Sequence, residues 1–383
     1  MSAREAALRA ATVASVLLVV AAGGYAGATP HRPGMTARQH ALPTLRSGSG
    51  GATTNLYAVA AVPGTSYAYV IQARGLGAAN NKFSVMRLKH GHLKKVWAPK
   101  LGGRYGSLGT LTAVSKKNVY VGGATEVHGP DLKPAIFRLK GKKFVPMKLP
   151  GTDTGAAYVG SITASSPSNV WAVGGIYPTI GGGPQALRYD GKKWAFTTTP
   201  QGANFDEQID VSTSAPNNVW ATRYDGNLLF WNGSTWTDLG PAPVTNPGPI
   251  ATSSRHLVYV AGTDAAGKRA IMKFNGQKWS KSKIKGVPST ASIVDLTLVG
   301  KQGWATAQWQ SAPYHTRAAI LHTSGGAWTP QYKSGKGSNQ ISAISAGSAH
   351  HVFAVGSRHA ATSGAAIHPV TLTLHGHKWK ASK

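Results

Sequence analysis

The sequence predicts an all-β fold built from seven four-stranded antiparallel sheets. Three observations predict it. First, a hairpin glycine followed three residues later by an aromatic recurs: Gly141–Phe144, Gly191–Trp194, Gly233–Trp236, Gly276–Trp279, Gly325–Trp328 and Gly376–Trp379, with a looser copy at Gly91, Leu93 and Trp97. These glycines lie 42 to 51 residues apart, the period of a propeller blade. Second, an aromatic flanked by small or branched residues stands upstream in each unit: Tyr69, Tyr120, Trp171, Trp220, Tyr259, Trp304 and Phe353. Third, a short stretch of Ser, Thr, Ala and Ile precedes that aromatic, as in Ile162 to Ser166 and Val211 to Ala215. One such sheet cannot bury both faces alone, whereas seven around an axis can, so the reading is a seven-bladed β-propeller.

Composition agrees. The 383 residues include 47 Gly and only 14% charged side chains, which suits strands joined by tight turns. The 42% hydrophobic content, with 11 Trp and 13 Tyr, supports a large core. The absence of Cys excludes a disulfide scaffold, a thiolate metal site and a cysteine nucleophile.

Residues 1–28 read as a signal peptide. Arg4 and Arg9 precede an uncharged run centred on Val13 to Val20, and Ala26-Gly27-Ala28 supplies the small-x-small cleavage pattern. A retained anchor is the rival reading of the same segment. Residues 29–50, rich in Pro, Gly, Ser, His and Arg, read as a flexible basic linker. The propeller is expected over 51–383, with blades at about 51–100, 101–150, 151–200, 201–242, 243–288, 289–333 and 334–383.

Within each blade, strand A is the small-residue stretch nearest the axis. Strand B carries the aromatic and ends in glycine, as at Gly122-Gly123, Gly174-Gly175, Gly262 and Gly356. Strand C alternates, as in Ala186-Leu187-Arg188-Tyr189, and strand D opens on the Trp. The C–D turns Asp190-Gly191, Asn232-Gly233 and Asn275-Gly276 predict type I′ hairpins.

Asn169-Val-Trp-Ala-Val-Gly-Gly175 followed by Leu187-Arg-Tyr-Asp-Gly-Lys-Lys-Trp194 resembles the double-glycine, Tyr and Trp sequence of kelch-type propellers, including the central domain of galactose oxidase. Similar repeats occur in secreted bacterial propellers. The resemblance covers about residues 51–383 and implies that ligands meet the B–C and D–A loops, which share one face of the disc. A galactose-oxidase-like copper site needs a Cys joined to a Tyr, so the lack of Cys removes that cofactor. No other cofactor is indicated.

On that face, the sixth unit's B–C loop is expected to hold Trp309, Tyr314, His315 and Arg317, a set that suits stacking on a sugar ring and bonding its hydroxyls. Trp309 packing on a neighbouring loop is the bland alternative. Arg104, Tyr105 and Tyr158 precede strand A in successive units and are further ligand candidates. Asp206, Glu207 and Asp210 form an acidic cluster in the connection entering the fourth unit, suited to pairing with cations, and Asp206 and Glu207 could act on a sugar as a carboxylate pair. Adjacent residues in one loop seldom face a common substrate, so no catalytic residue is assigned. The His90-x-His92 and His375-x-His377 pairs lack a third ligand, and no metal site is assigned.

The formal net charge is +29, from 41 Lys and Arg against 12 Asp and Glu. Lysines beside strand D protect an exposed sheet edge from pairing. Edge protection leaves the shortage of acids unexplained, and adhesion to polyanions or life in an acidic medium are the readings that address it. No recognition motif accompanies the charge, so a specific nucleic-acid partner is not expected. After signal removal no membrane segment is expected either.

The sequence thus reads as a secreted, cell-wall-associated or extracellular scaffold that binds a glycan, an anionic cell-wall polymer or a protein without catalysis. The alternatives are a carbohydrate-active enzyme, a glycosidase or polysaccharide lyase, and a basic polyanion-adhesion module. The question of enzymatic activity stays open, with the scarcity of carboxylates weighing against it.

Overall fold

The computed structural model describes residues 53–75, 82–103, 105–128, 131–152, 157–176, 178, 185–201, 208–313, 315–360 and 366–382. Its strands form seven four-stranded sheets, each from four consecutive strands in antiparallel order. Blade 1 comprises β1 (Thr53–Ala61), β2 (Tyr67–Gly75), β3 (Lys82–Lys89) and β4 (His92–Trp97). Blade 2 comprises β5 (Ser107–Ser115), β6 (Asn118–His128), β7 (Asp131–Lys140) and β8 (Lys143–Pro146). Blade 3 comprises β9 (Ser161–Ser166), β10 (Asn169–Val173), β11 (Ala186–Tyr189) and β12 (Trp194–Thr197). Blade 4 comprises β13 (Gln208–Ala215), β14 (Asn218–Arg223), β15 (Asn227–Trp231) and β16 (Trp236–Pro241). Blade 5 comprises β17 (Ile250–Ser254), β18 (Leu257–Thr263), β19 (Arg269–Phe274) and β20 (Trp279–Lys281). Blade 6 comprises β21 (Ser292–Val299), β22 (Gln302–Ala312), β23 (His315–Thr323) and β24 (Thr329–Lys333). Blade 7 comprises β25 (Ser338–Ser348), β26 (His351–His359), β27 (His368–His375) and β28 (Lys378–Ala381). No described residue is helical.

Packing between blades follows one rule. The strand-B aromatic of each blade lies against the outer-strand side chains of the next. Tyr69 meets Phe144 edge-on at 6.0 Å, and Tyr120 meets Tyr189 at 6.2 Å. Trp171 meets Trp231 at 5.1 Å and Trp236 at 5.3 Å. Trp220 meets Phe274 at 5.5 Å, and Tyr259 meets Trp328 at 5.3 Å. Trp304 joins a cluster with Leu372 and Leu374, and Phe353 joins one with Leu88 of blade 1. Each ring buried this way contributes about 1.5–3 kcal/mol, and edge-on or tilted pairing adds about 1.

Among the described residues the ring closes without a shared strand. Blade 7 packs on blade 1 through Phe353, and the Ala61 N–H donates to Ser345 Oγ at 3.0 Å.

The C–D turns differ from expectation. A type I′ turn needs positive φ at both central residues. Gly191, Gly233 and Gly276 have φ of +97°, +113° and +95°, but the Asp or Asn before each does not. The loops are four residues long, since Tyr189 pairs with Trp194 and Trp231 with Trp236. The Asp190 Oδ1 instead accepts the Lys192 and Lys193 N–H groups at 2.7 and 2.8 Å, and Asn232 and Asn275 do the same in their loops. A side-chain cap thus replaces the second left-handed residue. Only His90-Gly91, at φ of +51° and +80°, has both central residues left-handed.

Candidate functional site

The seven inner strands surround a central cavity of about 2170 Å³. Small side chains on strand A leave this space open, among them Ala58, Thr110, Thr163, Ser212, Thr297 and Ser345. Their second role is to join neighbouring blades. Inner strands of adjacent blades run side by side without a backbone ladder, so exposed amides need acceptors. Thr110 Oγ1 accepts the Ile162 N–H at 3.1 Å, Ser212 Oγ the Thr252 N–H at 3.0 Å, and Thr297 Oγ1 the Ala346 N–H at 3.3 Å.

Two carboxylates occupy the same kind of position. Asp210 accepts from Ser161 Oγ at 2.6 Å on one oxygen and from the Ile250 N–H at 3.0 Å on the other. Asp295 accepts the Leu296 N–H and the Ile344 N–H, both at 2.8 Å. Each follows a register shift in its strand, between Gln208 and Asp210 and between Ile293 and Asp295, which turns the side chain toward the next blade. Both lie deep in the disc while still touching the channel. Burial raises the pKa of each, and for Asp295 the nearby Asp210 charge adds to the rise, to about 7.

On the face of the B–C and D–A loops the cavity wall extends outward over blades 4 and 5, through Tyr224 to Asn227, Pro241 to Pro249 and Thr263 to Ala265. The sequence from 206 to 264 carries six of the 12 acids and only Arg223 and Arg255 as cations, in a chain of net +29. Arg223 is buried and bridges Asp225 and Asp238, each at 2.6 Å. Burial alone pulls the Asp238 pKa up, but the Gly240 N–H, Asn227 and Arg223 outweigh it and hold the carboxyl below its ordinary value. Lys281 pairs with Asp264 at 2.7 Å, which lowers that carboxyl as well. Tyr224 stands exposed beside these groups.

Of the candidates read from sequence, Tyr158 lines the cavity. The Tyr105 N–H donates to Glu126 Oε2 at 2.7 Å, outside the cavity lining. Gln308 to Ala312 belong to β22 and not to a loop, because the strand runs on past the channel end. Trp309 pairs across the ladder with Arg317 and packs, half-buried, against the core of blades 5 and 6. Arg317 Nη1 donates to the Gly335 carbonyl, and His315 opens β23, its carbonyl accepting from Ser311 Oγ at 3.2 Å. Arg104, Asp206, Glu207 and Tyr314 lie outside the described residues. The structure therefore places Trp309, His315 and Arg317 together on blade 6, away from Tyr158 and Tyr105. Asp295 and the Tyr224 mouth were missed, and Asp210, expected in a connection, lies in the inner strand β13. An acid at a strand-A position otherwise held by Ser, Thr or Ala was the two acids' only signal in the sequence. Among the described residues, no three His, Asp or Glu side chains cluster so as to hold a metal ion.

Fold and channel together define the class: a seven-bladed β-propeller of four-stranded antiparallel blades. Solved structures agree on that architecture. YCF48 from Cyanidioschyzon merolae is similar at a TM-score of 0.52 and 12% identity, over 85% of this chain and 96% of that one. A YCF48 bound to D1 peptide gives 0.51 and 13%, over 80% and 91%. The WD40 β-propeller domain of Doa1 gives 0.52 and 11%, over 80% and 91%. At such identities the likeness concerns the fold alone. No family model matches the chain, and no curated protein does.

Proposed function

We propose that this protein is a secreted, non-enzymatic propeller of kelch-like repeat type that binds a glycan or protein ligand at the mouth of its central channel. The observation that carries the reading is the extension of the channel wall over blades 4 and 5, where Tyr224, Asp225, Asp264 and Lys281 border the concave surface that Tyr158 lines from blade 3. Aromatic faces with a few fixed polar groups suit sugar rings and peptide segments alike. The channel carboxylates Asp210 and Asp295 are engaged by backbone amides, which supports binding over acid–base catalysis. The YCF48 structure with a bound D1 peptide is a precedent for a propeller of this architecture binding a peptide. Export rests on the signal-like residues 1–28, and the kelch-like type on the double glycine, Tyr189 and Trp194 of blade 3.

The test is a glycan, wall-polymer and peptide array at two ionic strengths, run with the wild type, Tyr158→Ala/Tyr224→Ala and Trp309→Ala/Arg317→Ala. The proposal expects the first variant to lose roughly tenfold or more in affinity at both salt concentrations. Retained binding in that variant with loss in the second moves the site to blade 6 and overturns the reading.

A further inference from the structure

The two faces of the disc differ in charge. The A–B and C–D turns share one face, opposite the channel mouth described above, and every residue of those turns is described. That face and its rim expose Lys89, Lys116, Lys117, Lys140, Lys142, Lys143, Lys192, Lys193, Arg255, Lys278, Lys301 and Lys378. Asp190 is the only acid there, and its carboxylate is already taken by the Lys192 and Lys193 N–H groups. The other described carboxylates, Glu126, Asp131, Asp210, Asp225, Asp238, Asp264 and Asp295, lie in the channel or toward the opposite face.

Edge protection accounts for the lysines beside strand D. It does not account for Lys116, Lys117, Arg255 and Lys301, which sit in A–B turns between the two innermost strands, where no sheet edge is exposed. The cations crowd on blades 2 and 3, where Lys116, Lys117, Lys140, Lys142, Lys143, Lys192 and Lys193 occur together.

We propose that the A–B/C–D face is a second binding surface, for a phosphate polymer that carries no nucleobases. Single-sign charge in a continuous sector attracts an extended polyanion through the release of its counterions. All but one of the cations are lysines, compact point charges that meet successive phosphates along a chain without the fixed planar geometry that Arg imposes on a single phosphate or carboxylate. No Phe, Tyr or Trp of this face is fully exposed, Tyr67, Trp279 and Trp379 being half-buried, so apart from its histidines it offers few rings for stacked bases. This surface does not depend on the channel-mouth reading, and either can fail alone.

The experiment measures binding of the full chain to long-chain inorganic polyphosphate across a salt series, with polygalacturonate and oligothymidylate as competitors. Two quadruple variants of equal charge change are compared: Lys116→Gln/Lys117→Gln/Lys142→Gln/Lys192→Gln on this face, and Lys82→Gln/Lys133→Gln/Lys268→Gln/Lys336→Gln toward the other. All eight side chains are exposed, and melting temperatures verify that both variants fold. The first is expected to bind polyphosphate at least about tenfold more weakly, with a salt slope shallower by about 3, and the second to stay within about twofold. Equal weakening of both variants, or no polyphosphate binding at low salt, would overturn the surface assignment. Polygalacturonate or oligothymidylate bound as tightly as polyphosphate would overturn the assignment of the polymer.

Discussion

Asn169 holds Trp171 in a clasp that also joins two blades. Its Oδ1 accepts the indole N–H at 2.9 Å, while its Nδ2 donates to Ser165 Oγ at 2.7 Å and across to Thr213 Oγ1 of blade 4 at 3.3 Å. Asn218 repeats the arrangement with Trp220 at 2.9 Å, Ser214 at 2.6 Å and Thr252 of blade 5 at 3.2 Å. Both asparagines are buried, so each clasp satisfies an indole donor that has no access to water.

Removing the clasp leaves that donor unpaired. Asn169→Ala is expected to destabilise the protein by about 2–3 kcal/mol. Urea denaturation followed by Trp fluorescence measures it, and a loss no larger than that of an exposed Asn217→Ala control would contradict the role.

Blade 6 offers the reverse experiment. Gln302 stands where Asn169 and Asn218 stand, two residues before Trp304, but its longer side chain reaches His322 Nε2 at 3.3 Å. The buried Trp304 Nε1 is left without a partner. Gln302→Asn is expected to restore the clasp and raise stability by about 1 kcal/mol. A lower melting temperature in this variant would refute the equivalence.

The strand-B glycines are required by close approach. A Cβ on Gly123 would overlap the Ser107 carbonyl oxygen, and one on Gly356 the Gln340 carbonyl oxygen. Gly123→Ala is expected to cost about 3 kcal/mol, since backbone cannot step aside cheaply. Gly141→Ala meets nothing within 4 Å and bears only its φ of +62°, so about 1 kcal/mol is expected. Comparable losses in the two variants would show that strand-A contact is not the constraint.

Asp295 sets a pH dependence of definite sign. Its carboxyl is raised from the ordinary 3.8 to about 7, so between those values the native state holds a proton that the unfolded chain has released. The stability this group contributes therefore grows as pH falls from about 7 toward 3.8, and is lost as pH rises back through 7. The lowered carboxyls of Asp190, Asp238 and Asp264 act in the opposite sense but are common to wild type and variant. Wild type minus Asp295→Asn is thus expected to show a melting-temperature difference that shifts in favour of wild type between pH 7.5 and pH 5. A difference independent of pH would remove burial as the cause.

The blade order was legible because turn glycines and strand-B aromatics such as Trp171 and Trp220 recur with the period of the sheet. The Asn-Val dipeptide before both Trp residues was visible as well, but its clasp was not, since Thr213 and Thr252 come from the next blade. The functions of Asp210 and Asp295 were hidden for the same reason: a register shift in the inner strand decides that each faces a neighbouring amide. Trp309 was misplaced in a loop although Ala307-Gln308-Trp309-Gln310 continues the alternation of β22. Asp190-Gly191 was misassigned because the carboxylate, which caps two amides, does the work that a second left-handed residue performs in a shorter turn.

The location of the ligand is the claim most open to direct measurement. Hydrogen–deuterium exchange on the full chain, with and without the tightest array ligand, compares the two faces in one experiment. The account predicts slowed exchange at 224–227, 243–248 and 263–265 around the channel mouth. Protection confined to β22 and β23 near Trp309 and Arg317, with the mouth unchanged, would contradict it.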